Sequence, residues 1–70
     1  MTTQAVVTEI AIEATKWMMK HKKPIPSRSL RLILEKYVTK EAELEELIDY
    51  LQSKKGTRIW HAAMRDCLKG

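Results

Sequence analysis

Six basic residues and no carboxylate occupy residues 14–34, and this stretch has the clearest chemical character in the chain. Lysine and arginine side chains bind phosphate groups, since each contact releases a counterion from a nucleic-acid backbone. A helix start inside the stretch adds free amides that favour the same ligand. We therefore expect the segment from Lys16 to Arg31 to contact nucleic acid, mostly through phosphates. The residues expected to bind are Lys16, Lys20, Lys22, Lys23, Ser27, Arg28 and Arg31.

The same segment has a plainer interpretation as solubilising surface, because a run of like charges is usually a solvated helix end or turn. The net charge of the whole chain is +4, a modest value for a nucleic-acid binder. The sequence leaves both interpretations open.

The charge reverses in residues 35–51, where six acidic residues against two lysines give a net charge of −4. Because this charge is complementary to the basic segment, two copies of the chain would pair, or a partner protein would bind. The competing hypothesis is therefore a protein–protein adaptor or inhibitor, of the kind found among small regulators such as phage-encoded inhibitors of host machinery. It would bind through the acidic helix 40–55 and exposed apolar residues. The expected interface residues are Ile12, Met19, Leu32, Glu43, Glu46 and Tyr50.

Residues that carry out enzymatic chemistry are sparse and scattered. His21 and His61 fall on different predicted helices, and Cys67 lies on an apolar stripe where we expect it to be buried. Gly56 and Gly70 are the only glycines, too few for a phosphate-binding loop. The carboxylates of the acidic segment are spread around a predicted helix and lack the loop turns of a calcium site. We expect no enzymatic activity, no cofactor and no bound metal.

A chain of 70 residues forms one domain, here residues 1–70, and buries only about 60% of the surface that its unfolded form exposes. The single cysteine excludes an internal disulfide, so packing or a partner chain must supply the remaining stability, and we expect a homodimer. No basic n-region precedes the first apolar stretch, and Glu9 and Glu13 interrupt it. We therefore expect neither a signal peptide nor a membrane span, and a soluble, cytoplasmic protein.

The first helix is expected to run from about Thr3 to Lys22 and to be the central helix of the fold. Its polar residues recur at steps of four, three and four, which leaves most of its circumference apolar and requires cover from several sides. Pro24 and Pro26 end this helix, because proline cannot continue the backbone hydrogen bonds. The polar residues are Glu9, Glu13, Lys16 and Lys20.

Three further segments repeat apolar residues at i, i+3, i+4 and i+7, the spacing of an amphipathic helix. Ser27 is expected to cap the first segment, which continues to Tyr37, and Thr39 to cap the second. Gly56 is expected to end the second segment in a left-handed conformation, and Thr57 to cap the last. The apolar positions are Leu30, Ile33, Leu34 and Tyr37, then Leu44, Leu47, Ile48 and Leu51, and finally Trp60, Ala63, Met64 and Cys67.

These patterns predict an all-α fold, a compact four-helix bundle in a single domain. No segment shows the alternation of a β-strand, and the connections between segments are short. The expected core residues are Ile10, Ala14, Trp17, Leu34, Leu47, Ile48, Leu51, Trp60 and Met64.

The run from Pro26 through Gly56 resembles a helix-turn-helix unit, since two helices are joined by a short turn and followed by a glycine. In such motifs the second helix enters the major groove and reads bases near its N-terminus. Here that helix, Lys40 to Lys55, carries five carboxylates, four of them in its first two turns, which phosphates would repel. We therefore expect the preceding helix and the proline turn to make the contact, with little sequence discrimination.

Overall fold

The longest helix, α1 (Thr3–His21), carries the most deeply buried residues of the protein. The computed structural model describes residues 2–69, and in that range it contains four helices and no strand. The remaining helices are α2 (Ser27–Leu34), α3 (Glu41–Gln52) and α4 (Lys54–Lys69). The predicted fold, a compact all-α single domain of four helices, is confirmed. Met1 and Gly70, the ends of the expected domain, lie outside the described residues.

One broad face of α1 is covered by the other helices. Val7, Ile10, Ala11 and Ala14 on this face have no exposed surface. Thr15 is 2% exposed, and its hydroxyl donates a 2.7 Å hydrogen bond to the carbonyl oxygen of Ala11, so its burial leaves no polar atom unpaired. α4 and α2 both pack on α1, while α3 packs on α4. α1 is therefore the central helix, as expected, although its opposite side remains in solvent.

Local hydrogen bonds close both ends of α1. The Thr2 hydroxyl accepts a 3.2 Å hydrogen bond from the amide of Ala5. At the other end, Lys22 adopts a left-handed conformation with φ of 55°, and its amide donates a 2.7 Å bond to the carbonyl oxygen of Met18. A left-handed lysine carries backbone strain that a glycine would not. This turn redirects the chain towards α2.

α2 is shorter than expected and begins differently. Pro26 occupies the N-cap position, so Ser27 is the first helical residue rather than the cap. The helix ends at Leu34, and Tyr37 lies in the turn that follows, where its amide donates a 3.0 Å bond to the Leu34 carbonyl oxygen. This turn brings the Tyr37 hydroxyl to Glu13 of α1. The position where α2 ends thus depends on a contact with α1. The apolar pattern of α2 alone does not predict this contact.

The junction of α3 and α4 differs most from the prediction. A single residue, Ser53, separates the helices, and its hydroxyl accepts a 3.1 Å hydrogen bond from the amide of Gly56. Gly56 therefore lies in the first turn of α4 instead of ending α3, and Thr57 is not the cap. A Cβ atom on Gly56 would lie 1.8 Å from the carbonyl oxygen of Tyr50. The glycine is required because the backbone of α4 passes so close to the end of α3.

The backbone contacts of the helix-turn-helix-like run differ for its two helices, since those of α2 are mainly with α1 and those of α3 mainly with α4. Residues 35–40 connect them, and Lys40 rather than Thr39 is the N-cap residue of α3. α3 ends at Gln52, so the acidic helix is shorter than the expected 40–55.

The core is a cluster of buried residues from α1, α2 and α3. It consists of Val7, Ile33 and Leu44 together with the expected Ile10, Ala14, Leu34 and Leu47. Ile48, Leu51 and Trp60, also expected in the core, are partly buried and pack against the cluster. The assignment of Trp17 and Met64 to the core is wrong, because both are partly buried and stand outside this cluster.

Candidate nucleic-acid interface

The basic end of the molecule, residues 16–31, comprises the last turns of α1, the proline turn and most of α2. All seven side chains expected to contact nucleic acid are exposed there. Lys16 and Lys20 are one turn apart on α1, as are Arg28 and Arg31 on α2. Because α2 packs on α1 and only residues 22–26 separate the two helices, the basic end forms one connected region.

Arg31 is the residue of the basic end whose charge is already paired. Its Nε and Nη2 atoms lie 3.2 and 3.3 Å from the carboxylates of Glu35 and Glu41. Both pairs are largely exposed, and exposed ion pairs of this kind are weak. Within residues 2–69, the other ion pair joins Lys36 to Glu13, outside the basic end. The cations of the basic end that pair with no carboxylate of the described chain are Lys16, Lys20, Lys22, Lys23 and Arg28.

An aromatic pair lies inside the basic end. The ring centroids of Trp17 and His21 are 4.1 Å apart, with 41° between the ring planes. The Nζ atom of Lys23 lies 5.8 Å from the centre of the Trp17 ring, within the range of a cation–π contact. His21 is exposed and Trp17 is partly buried, so the pair offers a ring surface beside the lysines. The apolar pattern assigns Trp17 to the core, whereas its i, i+4 spacing from His21 predicts this contact.

The start of α2 has no side-chain cap, because Pro26 occupies the N-cap position and carries no hydrogen-bonding side chain. The amide of Leu30 bonds the Pro26 carbonyl oxygen at 3.0 Å, which leaves the three preceding amides without an intrahelical acceptor. Ser27 and Arg28 carry two of these amides, and their side chains are exposed. An anion at this position would meet amide donors, a hydroxyl and a guanidinium.

A separate cleft of about 690 Å³ opens between the start of α1, the turn after α2, and α3. We call it the acidic cleft, because two exposed carboxylates, Glu43 and Glu46, stand on its wall. Tyr50 also lines it, so three of the residues expected at a protein interface come together here. The remaining lining residues are Thr3, Val6, Tyr37, Val38 and Leu47.

The other three residues expected at a protein interface lie outside the acidic cleft. Met19 and Leu32 are 54% and 62% exposed, unusually high for large apolar side chains. Ile12 is partly buried on α1. The structure therefore does not gather all six candidate interface residues into one surface.

Glu13 fastens the turn after α2 to α1. Its carboxylate accepts a 2.9 Å hydrogen bond from Lys36 Nζ and a 2.7 Å bond from the Tyr37 hydroxyl. Two hydrogen bonds lower the pKa of Glu13, the larger effect coming from Lys36 and the smaller from Tyr37. The hydrogen bond that the Tyr37 hydroxyl donates to this carboxylate raises the pKa of Tyr37 to about 12. Both shifts lead away from neutrality, so neither group is poised to exchange a proton near pH 7.

Cys67 is partly exposed rather than buried as expected, because Ala63 is the last buried residue of α4 and the turn beyond it is less covered. Within residues 2–69, no three histidine, cysteine or acidic side chains are arranged to hold a metal ion. Over the same part of the chain, no helix combines the length and the apolar character needed to cross a membrane.

Comparisons of the chain with protein-family models, with curated proteins and with solved structures find no match. The two candidate binding surfaces are therefore the basic end and the acidic cleft. The first combines cations that lack a carboxylate partner within residues 2–69 with an aromatic pair. The second combines two carboxylates with a lining that is part polar and part apolar.

Proposed function

We propose that this protein is a small, non-catalytic regulatory protein of the cytoplasm that contacts nucleic acid through the basic end. The supporting observation is that all seven candidate side chains are exposed, while five cations among them pair with no carboxylate of residues 2–69. Charges that are not neutralised within the protein are available to displace counterions from a phosphate backbone.

Two kinds of contact follow from the geometry of the basic end. The five cations without a carboxylate partner meet phosphate oxygens, and this positions the protein without reading sequence. They are Lys16, Lys20, Lys22, Lys23 and Arg28. The Trp17–His21 pair stacks on a base where a strand is single, since an aromatic surface beside cations is the usual platform for unpaired bases. The protein therefore binds both duplex and single strands, with little preference for sequence.

A titration against random duplex and random single strand at two salt concentrations tests the proposal. About five phosphate contacts on duplex DNA predict that log K falls with log salt at a slope near −4.5. Replacing Lys22, Lys23 and Arg28 by alanine removes three contacts, so we expect the slope to flatten by roughly 1 per residue. Binding should weaken similarly on every sequence tested.

A matched control removes three exposed cations elsewhere, by replacing Lys40, Lys55 and Lys69 with alanine. The control has the same net charge as the test variant but retains the basic end, so it should keep most of the wild-type affinity and slope. Absence of binding to either nucleic acid at low salt would refute the proposal. Equal losses in the two variants would refute the assignment to the basic end.

A second candidate function is protein binding through the acidic cleft, and it is favoured by the convergence of Glu43, Glu46 and Tyr50 on one cavity. A lining of mixed polarity that includes two carboxylates suits a cationic segment with apolar residues of its own. The occupant we propose is the basic end of a second copy, since residues 14–34 carry +6 and residues 35–51 carry −4. Nucleic acid and the second copy would then compete for the same lysines.

A further inference from the structure

Four basic side chains line the exposed face of α4 and belong to neither the basic end nor the acidic cleft. Lys54, Arg58, His61 and Arg65 follow one another at steps of four, three and four residues, which places them in one stripe of the helix. All four are exposed, whereas the opposite face of α4 is held against the protein by buried residues such as Ala63. We call this row the α4 stripe.

The α4 stripe borders a shallow cavity of about 450 Å³ whose lining contains no carboxylate among the described residues. Gln52 and Thr57 complete the lining. The Thr57 hydroxyl donates a 3.2 Å hydrogen bond to the carbonyl oxygen of Leu51, so its oxygen retains only acceptor capacity. None of the ion pairs within residues 2–69 involves Lys54, Arg58 or Arg65.

The α4 stripe is unfavourable for the helix when no anion is present. Basic side chains at i and i+4, such as Lys54 and Arg58, repel each other on a helix surface. The first turn of α4 contains Lys54 and Lys55 and no acidic residue, which sets two positive charges at the positive end of the helix dipole. A bound anion would relieve both effects, so the arrangement is better suited to the liganded state.

We propose that the α4 stripe is a second phosphate-binding site. Its ligand is a multiply charged phosphate, supplied either by a nucleic-acid strand or by a free oligophosphate. The guanidinium groups of Arg58 and Arg65 each present a planar pair of donors to phosphate oxygens, and Lys54 adds a point charge. The stripe is roughly 16 Å long, so it spans more than one phosphate of an extended strand. The proposal does not depend on the basic end, because the two sites share no residue.

Nuclear magnetic resonance of the full chain at low salt tests the site with two probes, sodium tripolyphosphate and a short oligothymidylate. We expect the side-chain Nε–H signals of Arg58 and Arg65 and the ring signals of His61 to shift on titration, and the melting temperature to rise with tripolyphosphate. Shifts with oligothymidylate at phosphate concentrations where tripolyphosphate produces none would identify a strand as the source. The reverse result would identify a free oligophosphate.

In the double variant Arg58→Gln/Arg65→Gln, the ring signals of His61 should no longer shift and the rise in melting temperature should be lost. Lys22→Gln/Lys23→Gln in the basic end should keep both responses and the shifts of the Arg58 and Arg65 signals. A second double variant, Arg58→Lys/Arg65→Lys, retains charge but removes the planar donors, and should weaken tripolyphosphate binding roughly tenfold. These positions are exposed, so the helical circular dichroism spectrum of each variant should match that of the wild type.

The proposals for the two sites can be refuted independently, and the same titrations show which of them is wrong. Shifts confined to the basic end would overturn the α4 site and leave the proposed function standing. Shifts confined to the α4 stripe would do the opposite. No shift of the α4 signals with either probe, or a His61 shift that survives in Arg58→Gln/Arg65→Gln, would refute the inference.

Discussion

The hydroxyl of Tyr37 donates a 2.7 Å hydrogen bond to the carboxylate of Glu13, and this contact joins the turn after α2 to the middle of α1. Lys36 bonds the second carboxylate oxygen at 2.9 Å. Both bonds favour the ionised carboxylate, so the folded protein lowers the pKa of Glu13 below its value in the unfolded chain. The stability that this difference contributes is present above the unfolded pKa and is lost as the pH falls through the folded pKa.

We therefore expect the free energy of unfolding to decline as the pH drops below about 4.5, the ordinary pKa of glutamate. The variant Glu13→Gln keeps a carbonyl acceptor but does not titrate, so its stability should depend less on acid in this range. Glu45→Gln on the exposed side of α3 is the control and should retain the wild-type dependence. Urea unfolding at a series of pH values measures the difference. Parallel curves for Glu13→Gln and the wild type would contradict the role assigned to Glu13.

The close approach of α4 to the end of α3 gives a second prediction. A Cβ atom at position 56 would collide with the carbonyl oxygen of Tyr50 at 1.8 Å, so Gly56→Ala should destabilise the fold by about 3 kcal/mol or more. Ordinary helix propensity predicts the opposite sign, since alanine normally gains about 1 kcal/mol over glycine. Ala62→Gly, at an exposed position of α4, is the control and should cost only that ~1 kcal/mol. Thermal unfolding that shows Gly56→Ala to be stabilised would show that the helices do not approach this closely.

Gly56 also shows which features of the fold can be predicted from local sequence patterns and which cannot. The i, i+3, i+4, i+7 repeats are enough to predict four helices, because each helix must bury its own apolar face. They do not locate the junction of α3 and α4, where a glycine after two lysines is typical of a helix end. In the structure Ser53 is the only residue between α3 and α4. Gly56 lies in the first turn of α4, where the absence of a side chain lets the backbones of the two helices come close. That role depends on the position of α3 relative to α4, which no single helix encodes.

Some features of the candidate site can likewise be predicted from the sequence, and others cannot. The basic end could be predicted because the exposure of lysine and arginine follows from their charge, whatever the packing. Trp17 could not be placed, since its stripe on α1 is apolar but the core cluster does not extend to that turn. The acidic cleft brings Glu43 next to Val6 and Val38, residues from three separate segments. Its shape depends on the turn after α2, which the Glu13–Tyr37 contact sets.

Burial separates two leucines that the sequence presents as equally apolar. Leu47 is 6% exposed in the core cluster, and Leu47→Ala should cost roughly 2–5 kcal/mol, a large part of the stability of so small a domain. Leu32 is 62% exposed, and Leu32→Ala should change stability by less than ~0.5 kcal/mol. Urea unfolding with a constant m-value provides both numbers. Wild-type stability in Leu47→Ala would contradict the observed core.

Because Lys22 is left-handed and also cationic, one substitution there should raise the stability of the protein and weaken its binding to nucleic acid. Glycine adopts this conformation without strain, so Lys22→Gly should stabilise the protein by roughly 0.5–1 kcal/mol after the added freedom of the unfolded chain is counted. The same change removes one cation from the basic end, so we expect a smaller salt slope with nucleic acid. Lys23→Gly is the control, because it removes the same charge without a left-handed residue to relieve. Equal melting temperatures for the two variants would contradict the strain at Lys22.

The positions of the basic end and the acidic cleft on α1 indicate how two copies would pair in the proposed dimer. Val6, Glu13 and Lys20 are seven residues apart and lie in one stripe of the helix. Val6 lines the acidic cleft and Lys20 belongs to the basic end, roughly 21 Å away. A two-fold axis near Glu13 would set the basic end of each copy against the acidic cleft of the other. The two contacts would be identical, as in an isologous dimer.

Charge reversal tests this dimer without any other partner. Lys20→Glu/Lys23→Glu makes the basic end acidic, and Glu43→Lys/Glu46→Lys makes the cleft basic, so each variant alone should sediment as the 8.2 kDa chain because like charges then meet. An equimolar mixture restores opposite charges at both contacts and should sediment as a dimer. Lys54→Glu/Arg58→Glu changes the charge equally on α4 and should leave the wild-type dimer intact. A wild-type chain that sediments at the mass of one copy across the micromolar range, with a melting temperature unchanged by dilution, would rule the dimer out. Recovery of the dimer only in the mixture would assign its contacts to these two surfaces, because a non-specific charge effect would not distinguish the mixture from its components.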